Sequence, residues 1–123
     1  MIGGVGVDLV DIARIGAVLK RSEGFARRVF TTGERRHGAD RRVSAPHLAA
    51  CFAAKEAFLK SIGTGLWGGV PLRQIEVVHA ADGRPRLKLG PLAEQALRRA
   101  GGHATMLGLS HDRRVAVAVV VVQ

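Results

Sequence analysis

Cysteine occurs once in the 123 residues, as Cys51, so no intramolecular disulfide can form and a zinc site built on paired cysteines is excluded. A reducing compartment, most simply the cytoplasm, is the expected setting. Tyrosine is absent, and the aromatic residues are one Trp and four Phe, a scarcity that weakens a nucleic-acid reading because single-strand binders stack bases on aromatic rings. No apolar run reaches 18 residues, and the apolar start MIGGVGVDLV has no basic leader. Neither a membrane span nor a secretory signal is therefore expected. Acidic residues are also few, ten against nineteen Lys and Arg, for a formal charge of +9. That balance predicts attraction to something acidic: nucleic acid, a phosphorylated ligand, an anionic membrane or an acidic protein. A hydrophobic fraction of 47% argues against disorder, and the length suits one domain over 1–123 with one core.

The patterning supplies elements for that core. Residues 2 to 9 read as a glycine-spaced strand ending at Asp8, and Asp11 is placed to cap the helix DIARIGAVLKR, with Ile12, Ile15, Val18 and Leu19 as its apolar stripe. A short helical stretch follows around Phe25 to Val29, and Thr32 could cap a helix at GERR. The arginine-rich stretch to Val43 reads as a mobile connection. Ser44 and Pro46 then open a central helix of about 17 residues, which Gly63 can end. After the glycine-rich GTGLWGGV, the segments QIEVVHA and GRPRLKL read as a hairpin turning at Asp82-Gly83. PLAEQALRRA is an amphipathic helix ended by Gly101-Gly102. The strands ATMLGLS and RVAVAVVVV enclose the turn His111-Asp112-Arg113, the last being valine-rich enough to be buried on both faces. The expected fold class is α+β, a mainly antiparallel sheet packed around one long central helix.

That helix contains the sequence's main puzzle. Leu48, Cys51, Phe52, Phe58, Leu59 and Ile62 gather on one side at about 100° per residue, yet Lys55 points into the middle of this arc and Glu56 lies just beyond its edge. Charges there are costly unless paired. Lys55 is expected to run its alkyl stem along the core and surface its ammonium at the edge. Asp8 is compatible with a capping role and Glu56 with a solvated position. Together they offer one carboxylate from a strand and one from a helix, the oxygen donors Mg²⁺ takes alongside water and substrate phosphates. Lys60 stands four residues after Glu56, which is the spacing of an ordinary helical ion pair and equally of a cation beside a metal carboxylate.

Other motifs carry less. Ser110-His111-Asp112 is contiguous in a turn and lacks GxSxG, so a hydrolase triad is discounted. The glycine groups match no phosphate-loop pattern, the histidines have no metal spacing, and Cys51 reads as helix packing. Arg14, Arg21, Arg27 and Arg28 in successive early helices form either a solvated face or a surface for an acidic partner.

The ordered set GVGVDLVDIARI, FTTGERR, HLAACFAAKEAFLKSIGTG, GRPR and LSHD before a terminal valine-rich strand resembles the holo-[acyl-carrier-protein] synthase family of 4′-phosphopantetheinyl transferases, over nearly the whole chain. The resemblance implies a phosphopantetheinyl transferase-like fold and Mg-dependent transfer of 4′-phosphopantetheine from coenzyme A to a serine of an acidic acyl carrier protein, releasing adenosine 3′,5′-bisphosphate. It implies Asp8 and Glu56 as Mg²⁺ ligands, with Lys60 beside the coenzyme diphosphate. Gly63, Gly65, Pro85, Ser110 and His111 fall along the coenzyme pocket, and Arg14, Arg21, Phe25 and Arg28 on the carrier surface. It also implies a homotrimer with sites between subunits. One departure is Cys51, where the family commonly carries arginine; Arg41, Arg42 or His47 could supply the basic contact instead. The competing expectation is a noncatalytic basic module that binds nucleic acid or an acidic protein.

Overall fold

The computed structural model describes residues 1–36, 44–65 and 68–123; the expected mobile connection, with Arg41 and Arg42, lies outside them apart from its first residues. Strand β1 (Gly4–Asp11) leads into helices α1 (Ile12–Arg21), α2 (Glu23–Val29) and α3 (Thr32–Arg35), then the long α4 (Ala45–Ser61). A 3₁₀ turn at Leu72–Gln74 introduces the hairpin β2 (Ile75–His79) and β3 (Pro85–Leu89), followed by α5 (Pro91–Arg99), β4 (Thr105–His111) and β5 (Val115–Val122). Two antiparallel sheets result, one ordered β1-β5-β4 and the other pairing β2 with β3. The expected α+β class holds, with α4 packed against both β1 and β5.

Local chemistry accounts for the boundaries. The Asp11 carboxylate accepts from the Ala13 amide at the start of α1, and the Ser44 hydroxyl accepts from the His47 amide at the start of α4. α4 covers the 17 residues expected, and Gly63, at φ 77°, supplies the left-handed residue that ends it. α3 is capped one residue earlier than expected. Thr31, not Thr32, accepts from the Glu34 amide while Glu34 accepts from the Thr31 amide, a reciprocal box that requires threonine three residues before the glutamate.

Other expectations are corrected as well. β1 does not end at Asp8, because pairing with β5 continues to Asp11 opposite Val115. Asp8 is consequently a mid-strand residue, and the two-residue period puts it on the inner face with Gly4, Gly6 and Val10. β5 is buried on one face only: Ala116, Ala118, Val120 and Val122 are covered, while Val119 on the other face is 37% exposed. α4 is not an amphipathic helix with one apolar arc. Beyond its first turn it leaves Phe52, Glu56 and Lys60 open in a single i, i+4, i+8 stripe, and every other residue to Ser61 is buried.

The close fit on β1 comes from small residues. A Cβ at Gly6 would lie 1.9 Å from the Ala57 carbonyl oxygen, and one at Gly4 would lie 2.1 Å from that of Ser61. Backbone therefore rests on backbone where β1 crosses the C-terminal half of α4. Lys55 is also not at an edge. It is fully buried with Glu34, 2.8 Å away, and donates to the Leu72 carbonyl at 3.0 Å and to the Ile75 carbonyl. Burial pushes the ammonium's pKa below its ordinary value, and Glu34 opposes that shift. Every proton of the ammonium thus meets an acceptor, which is the condition for tolerating a charge at that depth.

Candidate active site

Asp8 and Glu56 converge because of the Gly6 contact. Asp8 follows Gly6 by two residues on the same face of β1, and Glu56 precedes Ala57, the residue that Gly6 touches. Both carboxylates line a cleft of about 340 Å³ between β1, α1, α2 and α4, together with Arg14, Ile15, Val18, Phe25 and Phe52. Phe25 closes one side, its ring edge-on to Phe30 at 6.0 Å and tilted on Phe52 at 6.2 Å.

The charges in this cleft are interdependent. Partial burial, and next the Asp8 carboxylate, push the Glu56 carboxyl above its ordinary pKa, while Lys60 opposes the rise. Lys60 does not form the helical pair with Glu56 that its spacing suggested. Its ammonium reaches across to Asp8 Oδ1 at 2.8 Å and to the Val7 carbonyl at 3.2 Å. That hydrogen bond is the main cause of an upward shift in its own pKa. Lys60 is therefore held as a cation, half exposed and pointing along the rim. This favours an electrostatic role over proton abstraction.

The cleft therefore presents two nearby carboxylates with one cation, Lys60, on Asp8. Among the described residues no group of three or more His, Cys, Asp or Glu is arranged to hold a metal. A pair of carboxylates nonetheless fits Mg²⁺, which commonly takes one or two of them and completes its shell with water and substrate phosphate.

The remaining candidates fall elsewhere. Ser110 and His111 line a second cleft, about 420 Å³, with Ser44, His47, Cys51 and His79. Cys51 lies 3.7 Å from the His47 ring. Its thiol pKa is pushed well up, chiefly by burial, as suits a packing residue and not a nucleophile. Pro85 lines a third cleft, of about 530 Å³, with Arg84, Arg86 and His103. Gly63 and Gly65 follow the far end of α4, both at positive φ. Arg21 and Arg28 are exposed on α1 and α2. The structure thus gathers Asp8, Glu56, Lys60, Arg14 and Phe25 at one place and leaves the other expected coenzyme residues in separate places on the chain. Sequence reasoning missed Gly6, whose contact with Ala57 sets β1 against α4 beside the two carboxylates. The spacing of Gly4, Gly6 and Asp8 carried a signal, since a period of two places all three on one face.

The class these features define is confirmed by comparison. The chain belongs to the 4′-phosphopantetheinyl transferase superfamily, whose family model matches residues 4–120. Within that class its full-length relatives are holo-[acyl-carrier-protein] synthases. That of Geobacter sp. (strain M21) is 45% identical over 124 residues, covering 100% of this chain and 99% of the relative. The crystal structure of the synthase from Neisseria meningitidis superposes with a TM-score of 0.83 at 34% identity, covering 100% and 99% of the two chains. The Helicobacter pylori synthase, solved in complex with coenzyme A, gives 0.82 at 27% identity, covering 97% and 99%. These matches decide for the enzyme against the noncatalytic module. Among the described residues no helix is long and apolar enough to cross a membrane.

Proposed function

We propose that this chain transfers 4′-phosphopantetheine from coenzyme A to a serine hydroxyl of an acyl carrier protein, and that the cleft holding Asp8 and Glu56, with Lys60 beside it, is where the phosphoryl group moves. The single observation carrying the site assignment is the placement of Asp8 and Glu56 in one cleft with Lys60 bridging its rim. Asp8 and Glu56 would hold a Mg²⁺ ion, which when bound supplies charge neutralisation at the coenzyme diphosphate. Lys60, kept protonated by Asp8, offsets negative charge on the departing phosphate. Glu56 is the candidate to receive the serine proton as the hydroxyl oxygen attacks phosphorus and the phosphoanhydride bond breaks, releasing adenosine 3′,5′-bisphosphate. Arg14, Arg21 and Arg28, with Phe25 among them, form a basic and partly apolar surface beside the cleft that suits an acidic carrier.

The coenzyme residues suggest how the complete site is built. His47, which lines the cleft of Ser110 and His111, is thirteen residues along α4 from Lys60, about 20 Å at 1.5 Å per residue. Lys60 and the Ser110-His111 cleft therefore belong to two half-sites that a neighbouring copy would unite. The outer face of the β1-β5-β4 sheet offers the contact surface. In register across the three strands stand Val5, Val121 and Met106, then Val7, Val119 and Gly108. Val5 is 55% exposed, Val7 50% and Met106 60%. An open apolar face of this kind fits self-association, which we assign as a homotrimer with sites between subunits. Val7→Glu is expected to convert the assembly to monomers by size-exclusion chromatography with light scattering, and to abolish transfer while the monomer remains folded. An unchanged assembly in this variant would count against the assigned face.

The reaction is tested by intact-mass analysis of an apo acyl carrier protein incubated with this chain and coenzyme A. A mass increase equal to one phosphopantetheine, present with Mg²⁺ and absent with chelator, is the expected result. No increase with several carriers would reject the function.

A further inference from the structure

We propose that the buried Lys55–Glu34 pair is a positioning device for the active site, setting the rotation of α4 so that Glu56 faces Asp8; this rests on the active-site reading above. Where β1 crosses α4 the contact is backbone on backbone at Ala57 and Ser61, and the other buried alanines of the helix, Ala49, Ala50, Ala53 and Ala54, are equally small. Contacts between alanine and strand backbone fix how closely two elements approach but are non-directional, so they oppose a roll about the helix axis only weakly. Lys55 supplies the missing direction. Its ammonium is held by three acceptors from separate segments: Glu34 of α3 at 2.8 Å, the Leu72 carbonyl in the 3₁₀ turn at 3.0 Å, and the Ile75 carbonyl at the start of β2.

Glu34 is anchored just as fully. One carboxylate oxygen accepts from the Thr31 amide at 2.9 Å and the other from the Val77 amide at 2.9 Å. Phe30 lies under the ammonium, 5.8 Å from nitrogen to ring centroid. Lys55 and Glu56 are consecutive, so a fixed Lys55 fixes the direction in which Glu56 leaves the helix, about 100° further round. At the roughly 5–6 Å outer radius of a helix, a roll of roughly 20° moves a side-chain tip by about 2 Å. A displacement of even about 1 Å is enough to cost a catalytic site two orders of magnitude.

The variants Lys55→Met, Glu34→Gln and the double substitution test this. The probe is Mn²⁺ in the presence of coenzyme A, followed by loss of the free-ion signal in electron paramagnetic resonance, with turnover measured alongside. Each single variant strands a buried polar partner and is expected to lower the thermal midpoint. The double variant removes both charges and should recover part of the midpoint, since the Leu72 and Ile75 carbonyls still lack their donor, yet bind Mn²⁺ about tenfold more weakly. Its kcat should fall while KM for the carrier stays unchanged. A double variant that recovers wild-type Mn²⁺ affinity and kcat along with part of its stability would overturn the proposal. Should the double variant not fold, Glu34→Asp decides. It keeps both charges but withdraws the carboxylate by one methylene, and wild-type Mn²⁺ binding there would overturn the proposal as well. Wild-type protein that turns over without binding Mn²⁺ or Mg²⁺ would instead sink the metal-site reading, and this inference with it.

Discussion

Gly6→Ala is expected to reduce Mg-dependent transfer by about a hundredfold or more and to destabilise the fold by about 1–3 kcal/mol. The added methyl would sit 1.9 Å from the Ala57 carbonyl oxygen, 2.7 Å from the Ser61 amide nitrogen and 2.9 Å from the Ala57 carbonyl carbon. All three are backbone atoms of α4, so no side chain can swing aside. β1 is held on its other side by β5, with Gly6 opposite Val120, so the strain is relieved by driving α4 outward. Asp8 and Glu56 lie on the two elements being separated, and the cleft between them widens. Thermal unfolding and the carrier-modification assay measure the two effects. A variant with wild-type turnover would show that the carboxylates do not depend on this contact. The argument is specific to position 6 as a functional control: the equally close Gly4 touches Ser61, a turn beyond Glu56, so Gly4→Ala should cost stability with a smaller loss of turnover.

Glu56→Gln is the second large effect, and it separates stability from activity. In the metal-free protein the Glu56 pKa is raised, first by burial and then by Asp8. A carboxyl whose folded pKa lies above its unfolded value binds more protons in the native state. Its favourable contribution is complete below the ordinary carboxyl range and is lost as pH rises through the raised pKa. At neutral pH the ionised side chain is therefore a net cost to the metal-free fold. The glutamine variant, neutral at every pH, should unfold in chelator at a midpoint equal to or above that of the wild type. Metal-dependent transfer should nonetheless drop by at least about two orders of magnitude, and Mg²⁺ should no longer raise the midpoint. A glutamine variant with full turnover would remove Glu56 from the mechanism. One that unfolds well below the wild type in chelator would mean that Glu56 is mainly structural.

These two substitutions mark the border between what could be read in the chain and what could not. The element order was legible because its signals are local. Asp11 and Ser44 cap where a capping residue stands before an apolar run, Gly63 ends α4 through its own positive φ, and the hairpin turns at Gly83, also at positive φ. The candidate site residues were legible as an ordered set of motifs. How Asp8, Glu56 and Lys60 pair within that site was not.

The surroundings of α4 are poorly legible in the sequence for a common reason. Alternation and helical periodicity report which residues avoid water, and alanine is nearly silent on that scale. The alanine-rich side opposite Phe58 and Leu59 therefore adds no signal to the apolar arc, although β1 and β5 pack on the helix. Periodicity alone puts Lys55 at an edge because its partner, Glu34, is twenty-one residues away in sequence, and no local rule joins them. Lys60 was matched to Glu56 because i, i+4 neighbours are visible in sequence, whereas Asp8, its actual partner at 2.8 Å, is brought in only when β1 lies across α4. The sequence by itself determined the order of the elements and most of their ends, and it named the residues we propose to carry the chemistry, since propensity, capping and motif spacing act over a few residues. Which charges meet, which face of α4 stays open and which carboxylates share a cleft were decided by the tertiary structure, because those contacts join segments that only packing brings together.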